Sequence, residues 1–309
     1  MSKELLSQQA QSQIEVLKNT RPEDFSKAYN SCVEFSISEK IVKDIANSVG
    51  NGEVVGIVIS HQSFGDVEVV RHFCEKINEV SSPQIVKAYE AYSMPAVGSI
   101  QGFFDYRKEE YQKTHLNMLG LIRSIDYSHP KYQKNITPEM ETIAKENLIE
   151  LFKAFKSKEG SLFFIPFEST LKSGRTNPET GQIYGMQEVS PQDSLLGNLF
   201  QKRKKRKIKI LPCGIDGGYN ILHPETHLFD PNFINLLKNK KSLSTKIVTT
   251  KATKLIDISS PTYLKKNEEE IFIEIVTNIA QNLSLEARGD YKELVTQQEN
   301  NQSSRVNLL

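Results

Sequence analysis

The chain has 309 residues, of which 38% are hydrophobic and 25% charged, and its formal net charge is +1. Those figures describe a globular chain long enough to bury a substantial core, as one large domain with or without a small satellite, and exclude a disordered or fibrous one. A charge so close to zero gives no global attraction to nucleic acid or membrane, so any such partner must be recognised by a local cluster.

Met1 to Thr20 is polar, rich in Gln and Ser, and lacks the apolar centre of a secretory signal. No window reaches about 18 uninterrupted apolar residues, so no membrane-spanning helix is expected. The expected location is the cytoplasm, with any bilayer contact peripheral. The first 50 residues read as helical: Ile37, Ile41, Val42, Ile45, Ala46 and Val49 share one helical face, and Asn51-Gly52 ends it. Glu53 to Ser60 carries Val54, Val55, Ile57, Val58 and Ile59, the pattern of a strand buried on both faces. Val67, Val70, Phe73, Cys74 and Ile77 then mark a helix, and Gln84 to Tyr89 reads as a strand. Thr137-Pro138 is a cap and first-turn pair for a long helix to Lys156. Further strands are expected over Ser161–Phe167, Lys207–Cys213 and within Lys246–Ile258, and a helix over Ile271–Leu283.

Strands alternating with helices predict an α/β fold: a mostly parallel sheet with helices on both faces, behind an N-terminal helical segment. The expected division is 1–50 for that segment, 51–290 for the α/β domain and 291–309 for a polar tail. Ligands of such sheets bind beyond the carboxyl ends of the strands. The loops after Ser60, Phe167 and Cys213 should therefore share one edge. Cys32, Cys74 and Cys213 are far apart and odd in number, which suggests buried thiols rather than a disulfide framework or a metal site.

The loop after Ser60 reads His61-Gln62-Ser63-Phe64-Gly65-Asp66. A turn of this length can bring the aspartate at a helix start back to the histidine at a strand end. A carboxylate on one ring nitrogen fixes the tautomer and leaves the other nitrogen to take a proton, which makes a general base for a hydroxyl. The same spacing also suits a plain helix cap at Asp66 and an ordinary loop histidine.

Ser60 to Asp66 resembles the first motif of the glycerolipid acyltransferases, Asn-His-x-Ser-x-x-Asp, with Ser60 in place of the asparagine. That resemblance implies that His61 deprotonates the acceptor hydroxyl, which attacks an acyl thioester, and that Asp66 orients His61. Gly102-Phe103-Phe104-Asp105-Tyr106-Arg107 resembles the second block, which implies that Arg107 contacts the acceptor phosphate. Ile165 to Arg175 resembles the third, Phe-Pro-Glu-Gly-Thr-Arg-Ser. Glu168 and Thr170 match, whereas Phe167, Ser169 and Leu171 replace its proline, glycine and arginine. Lys172 or Arg175 would then supply the missing cation. Ile208 to Ile215 resembles the fourth block, an apolar run around a proline. The blocks fall in the family's order over about 155 residues, half the chain.

The expectation is thus an acyltransferase that moves a fatty acyl group from a coenzyme A or acyl-carrier-protein thioester. The acceptor would be the hydroxyl of glycerol-3-phosphate or a lysophospholipid. No cofactor and no metal are expected. Lys202 to Lys207, six consecutive basic residues, suits an anionic membrane surface better than nucleic acid, and equally a solvated loop. The competing expectation is a non-catalytic protein of the same fold that binds anionic lipid or nucleic acid through that run. His223 and His227 have Pro224 between them and no glutamate after the first, which argues against a zinc helix.

Overall fold

A computed structural model of the protein describes residues 3–61, 63, 65–81, 86–97, 101–122, 126–127, 130–166, 195–222, 228–239 and 246–297. In chain order, α1 (Lys3–Lys18) and α2 (Pro22–Cys32) precede β1 (Val33–Ser36), α3 (Glu39–Gly50), β2 (Val54–Ile59) and α4 (Asp66–Ser81). Next come β3 (Ala88–Ser93), the single turn α5 (Met94–Val97), α6 (Gln101–Lys113), β4 (Leu116–Leu121), the short α7 (Pro130–Gln133) and α8 (Pro138–Lys156). β5 (Ser161–Pro166), α9 (Leu195–Lys202), β6 (Ile208–Asp216) and α10 (Pro231–Asn239) follow. β7 (Val248–Lys251), β8 (Ile256–Asp257), α11 (Pro261–Leu264) and α12 (Glu268–Gln281) come last, and single 3-10 turns stand at Gly218–Asn220 and Gly289–Tyr291.

The strands form one sheet in the order β1-β7-β6-β2-β5-β3-β4, with β8 beside β6. β6, β2, β5, β3 and β4 are mutually parallel neighbours. β7 and β8 run antiparallel to β6, and β1 pairs parallel with β7. This is the expected α/β architecture with a mostly parallel sheet.

Every residue of β2 is buried, as its unbroken apolar run requires. Its alternation feeds two cores. Val55, Ile57 and Ile59 pack with Phe25, Tyr29, Ile45, Val70, Phe73 and Phe233, from α2, α3, α4 and α10. Val54 and Val58 pack with Leu151, Phe200 and Ile275, from α8, α9 and α12. Each such side chain contributes about 1.5–3 kcal/mol by leaving water, which anchors β2 and fixes what stands at its end.

Local signals match these elements. Thr137 accepts the Met140 amide at 3.2 Å with Pro138 in the first turn of α8, and Asn267 and Glu270 form a reciprocal cap on α12. Two expectations shift. The strand expected over 84–89 is β3 at Ala88–Ser93, where pairing with β4 and β5 sets its bounds. The N-terminal segment is helical as expected, but β1 lies within it and joins the sheet through β7.

Candidate active site

β2, β5 and β6 deliver their ends together: Ile59 pairs with Pro166 on one side and Cys213 on the other. Ser60 then clasps β6. Its amide donates to the Cys213 carbonyl at 3.1 Å, and its hydroxyl donates to the Ile215 carbonyl at 2.9 Å and accepts the Ile215 amide at 2.7 Å. The serine at this position therefore fixes the backbone from which His61 projects.

His61 and Asp66 meet. The histidine Nδ1 lies 3.1 Å from Asp66 Oδ2; the imidazole is 25% exposed and the carboxylate not at all. The turn between them is self-braced. The Ser63 amide donates to Asp66 Oδ2 at 2.9 Å, the Asp66 amide to the Ser63 carbonyl at 3.1 Å, and the Gly65 amide to the Ser63 hydroxyl at 3.1 Å. Asp66 Oδ2 accepts an amide proton, so it faces Nδ1 as an acceptor too, and Nδ1 is the nitrogen that carries the proton.

Two residues that the motif does not contain complete this turn. The Tyr29 hydroxyl, on α2, donates to the Gly65 carbonyl at 2.9 Å. Burial, reinforced by the charges of Asp66 and Glu68, pushes this phenol well up, so it stays a donor. From the other side, Gly217 turns the chain after β6 in the left-handed region (φ 89°), and a Cβ on Gly218 would collide with Asp66 Oδ1. The absence of a side chain at Gly218 thus gives the aspartate room.

Arg107 departs from its expected place. It lies on α6 and is fully buried, its Nε 2.8 Å and Nη2 2.9 Å from the two Glu68 carboxylate oxygens. Nη2 also donates to the Ser26 hydroxyl at 2.5 Å, and Nη1 to the Pro22 carbonyl. Arg71 Nε reaches Glu68 at 3.2 Å, the Tyr111 hydroxyl donates to it at 3.0 Å, and the guanidinium of Arg107 lies over the Phe25 ring. Burial alone would raise the Glu68 carboxyl, but Arg107 and Arg71 outweigh it and hold Glu68 below its usual range. The expected phosphate contact is corrected: this guanidinium faces inward and ties α2 and α6 to α4, because a buried carboxylate must be neutralised. The Glu68–Arg71 spacing of three was a visible helical pair.

One further carboxyl lies near the site. Glu90, on β3, is buried, and its carboxyl is pushed up to about 8 by burial first and by the charge of Asp66 second. The three cysteines are buried free thiols, as expected. Glu168, Thr170, Lys172 and Arg175, and the His223–His227 pair, lie outside the described residues.

The 202–207 run precedes Ile208, which pairs with Val54 at the amino end of β2. It therefore sits at the sheet edge opposite His61, the six-residue β2 placing about 20 Å between the two. Nor is it uniformly solvated. Arg203 is buried and donates to the Phe200 carbonyl at 2.6 Å. Arg206 donates to the carbonyls of Phe155 and Ser157, the latter at 2.6 Å. Lys202, Lys204, Lys205 and Lys207 are exposed.

Fold and site together define an α/β protein with a braced histidine–aspartate pair at the carboxyl edge of a parallel sheet. No protein-family model matches the chain, and a search of curated proteins finds no match. Among the described residues, no helix is long and apolar enough to cross a membrane.

Proposed function

We propose that this protein is an O-acyltransferase of the glycerolipid type, with His61 as general base and Asp66 as the residue that positions it. The observation that carries this reading is the contact of His61 Nδ1 with the buried, amide-braced carboxylate of Asp66. The other ring nitrogen, Nε2, then takes the proton from the acceptor hydroxyl as its oxygen attacks the thioester carbonyl. The tetrahedral intermediate collapses by breaking the carbon–sulfur bond, and the departing thiolate recovers the proton from the imidazolium. The fixed charge of Asp66 stabilises that imidazolium. This chemistry requires neither a covalent enzyme intermediate nor a metal.

The donor is an acyl thioester of coenzyme A or a carrier protein. The acceptor is glycerol-3-phosphate or a lysophospholipid. Glu168, Thr170, Lys172 and Arg175 are the proposed acceptor-binding residues, on the motif resemblance. Glu168 follows by two residues Pro166, which is level with Ile59. Arg107 has no part in this proposal, being enclosed with Glu68.

The test is acyl transfer by purified protein from labelled acyl-coenzyme A, and from an acyl-carrier-protein thioester, to glycerol-3-phosphate and to lysophosphatidate. Wild type is run beside His61→Ala. Transfer to one acceptor that the variant loses supports the proposal and names the acceptor. No transfer by wild type from either donor to either acceptor would remove it and favour the binding-protein alternative.

A further inference from the structure

Helix α8 lies along β4 and covers one sheet face with only part of its circumference. Leu151 and Ala154 are buried, Phe155 packs on Phe163, and Asn147 donates to the Gly120 carbonyl at 2.9 Å. The face turned away carries three large apolar side chains in open solvent: Leu148 at 42% exposure, Ile149 at 54% and Phe152 at 52%. Their spacing makes them neighbours on one helical surface. Single exposed apolar residues are ordinary, but a contiguous group on one helix is not.

Lysines outnumber carboxylates around this group. Lys145 lies one turn before Ile149, Lys153 one turn after it, and Lys156 one turn after Phe152, all exposed. Glu146, three residues before Ile149, borders the group as well, while Glu150 lies farther round toward β3, where burial first and the charge of Glu150 next raise the Tyr89 phenol. Arg206 extends the basic border. Its bonds to the Phe155 and Ser157 carbonyls fasten the 202–207 loop, with its exposed Lys204 and Lys205, to the end of α8, while Lys207 pairs with Glu53 at 3.7 Å.

We propose that the outer face of α8, bordered by these lysines, docks on an anionic lipid bilayer. Apolar tips among long lysine stems fit the boundary between acyl chains and headgroups: the rings and branches enter the hydrocarbon while the ammonium groups stay at the phosphates. A soluble acidic partner would satisfy the lysines but leave Ile149 and Phe152 in water. The surface is independent of the catalytic reading, and its test contains no acyl transfer.

The experiment is flotation of the full chain with phosphatidylcholine vesicles, with and without phosphatidylglycerol, at low and high salt. Wild type is compared with Ile149→Asp/Phe152→Asp and with Lys153→Gln/Lys156→Gln, with circular dichroism and thermal melting to establish that these exposed substitutions leave the fold intact. Wild type should float only with the anionic vesicles and release as salt rises. The apolar double variant should stay unbound. The lysine double variant should bind about 30-fold more weakly, from about fivefold per lysine. Equal flotation of wild type and Ile149→Asp/Phe152→Asp would overturn the proposal, as would no flotation of wild type. A dimer of the wild type that the apolar variant dissolves, without vesicle binding, would instead assign the face to a second copy.

Discussion

Two carboxylates two residues apart at the start of α4 have opposite surroundings. Asp66 and Glu68 are both wholly buried. Asp66 turns toward the end of β2, where it holds a partly exposed histidine and a turn of amides. Glu68 turns into the helical layer, where Arg71, Arg107 and Tyr111 surround it. The partner of the first can reach a ligand, and the partners of the second cannot. A buried carboxylate is thus a sign of constraint, and the exposure of its partner decides whether that constraint serves chemistry or stability.

Substitutions can break or sharpen this contrast. Asp66→Asn should have the largest effect on turnover, about 10²–10⁴-fold, because the amide can present a donor to Nδ1 and reverse the tautomer. Steady-state kinetics beside an unchanged melting curve is the check. Arg107→Ala should leave Glu68 buried and unneutralised and cost about 3–5 kcal/mol of stability, read by denaturant unfolding, with activity per folded molecule retained. Normal stability with acceptor binding lost would return Arg107 to the phosphate role that the motif suggests.

Glu90 gives a pH-dependent contrast of the same kind. Its carboxyl ordinarily titrates at 4.5 and is raised to about 8 in the fold. The folded chain therefore binds more protons than the unfolded chain between these values. Stability falls as pH rises through that window and levels above it. Glu90→Gln should flatten the decline and raise stability at pH 9 by an amount on the order of a few kcal/mol, measured by melting across pH. An unchanged slope would mean that another group governs it.

The smaller effects concern the braces of the turn. Gly218→Ala should displace Asp66 and slow turnover by up to about 10²-fold, with substrate affinity little changed. Tyr29→Phe removes one hydrogen bond to Gly65 and should cost about 1 kcal/mol, seen in the melting temperature. If the tyrosine mattered more to turnover than the glycine, the support of Asp66 would come from α2 rather than from the turn after β6.

The sequence revealed parts of this structure unevenly, for physical reasons. β2 was legible because a strand buried on both faces must be apolar throughout, and α8 because Thr137-Pro138 announces its start. β3 was placed too early because its buried residues include Glu90, so its own polarity hid it. β1 is four residues long and alternates between helices, too short to stand out. The His61–Asp66 contact followed from a short turn, which local spacing can specify. The contacts of Tyr29 and Gly218 with that turn join distant segments and exist only after folding. Arg107 looked like a site residue because a motif records residue type, whereas the direction of its guanidinium is set by Glu68 and by the packing of α2.

The most direct test of the central claim is a cycle of acyl-transfer rates for wild type, His61→Ala, Asp66→Asn and the double variant with one donor and one acceptor. The expected result is that the double variant is no slower than His61→Ala, because Asp66 acts through the histidine. Losses that simply multiply, or a His61→Ala variant with the wild-type rate, would contradict the assignment of His61 as the base and Asp66 as its support.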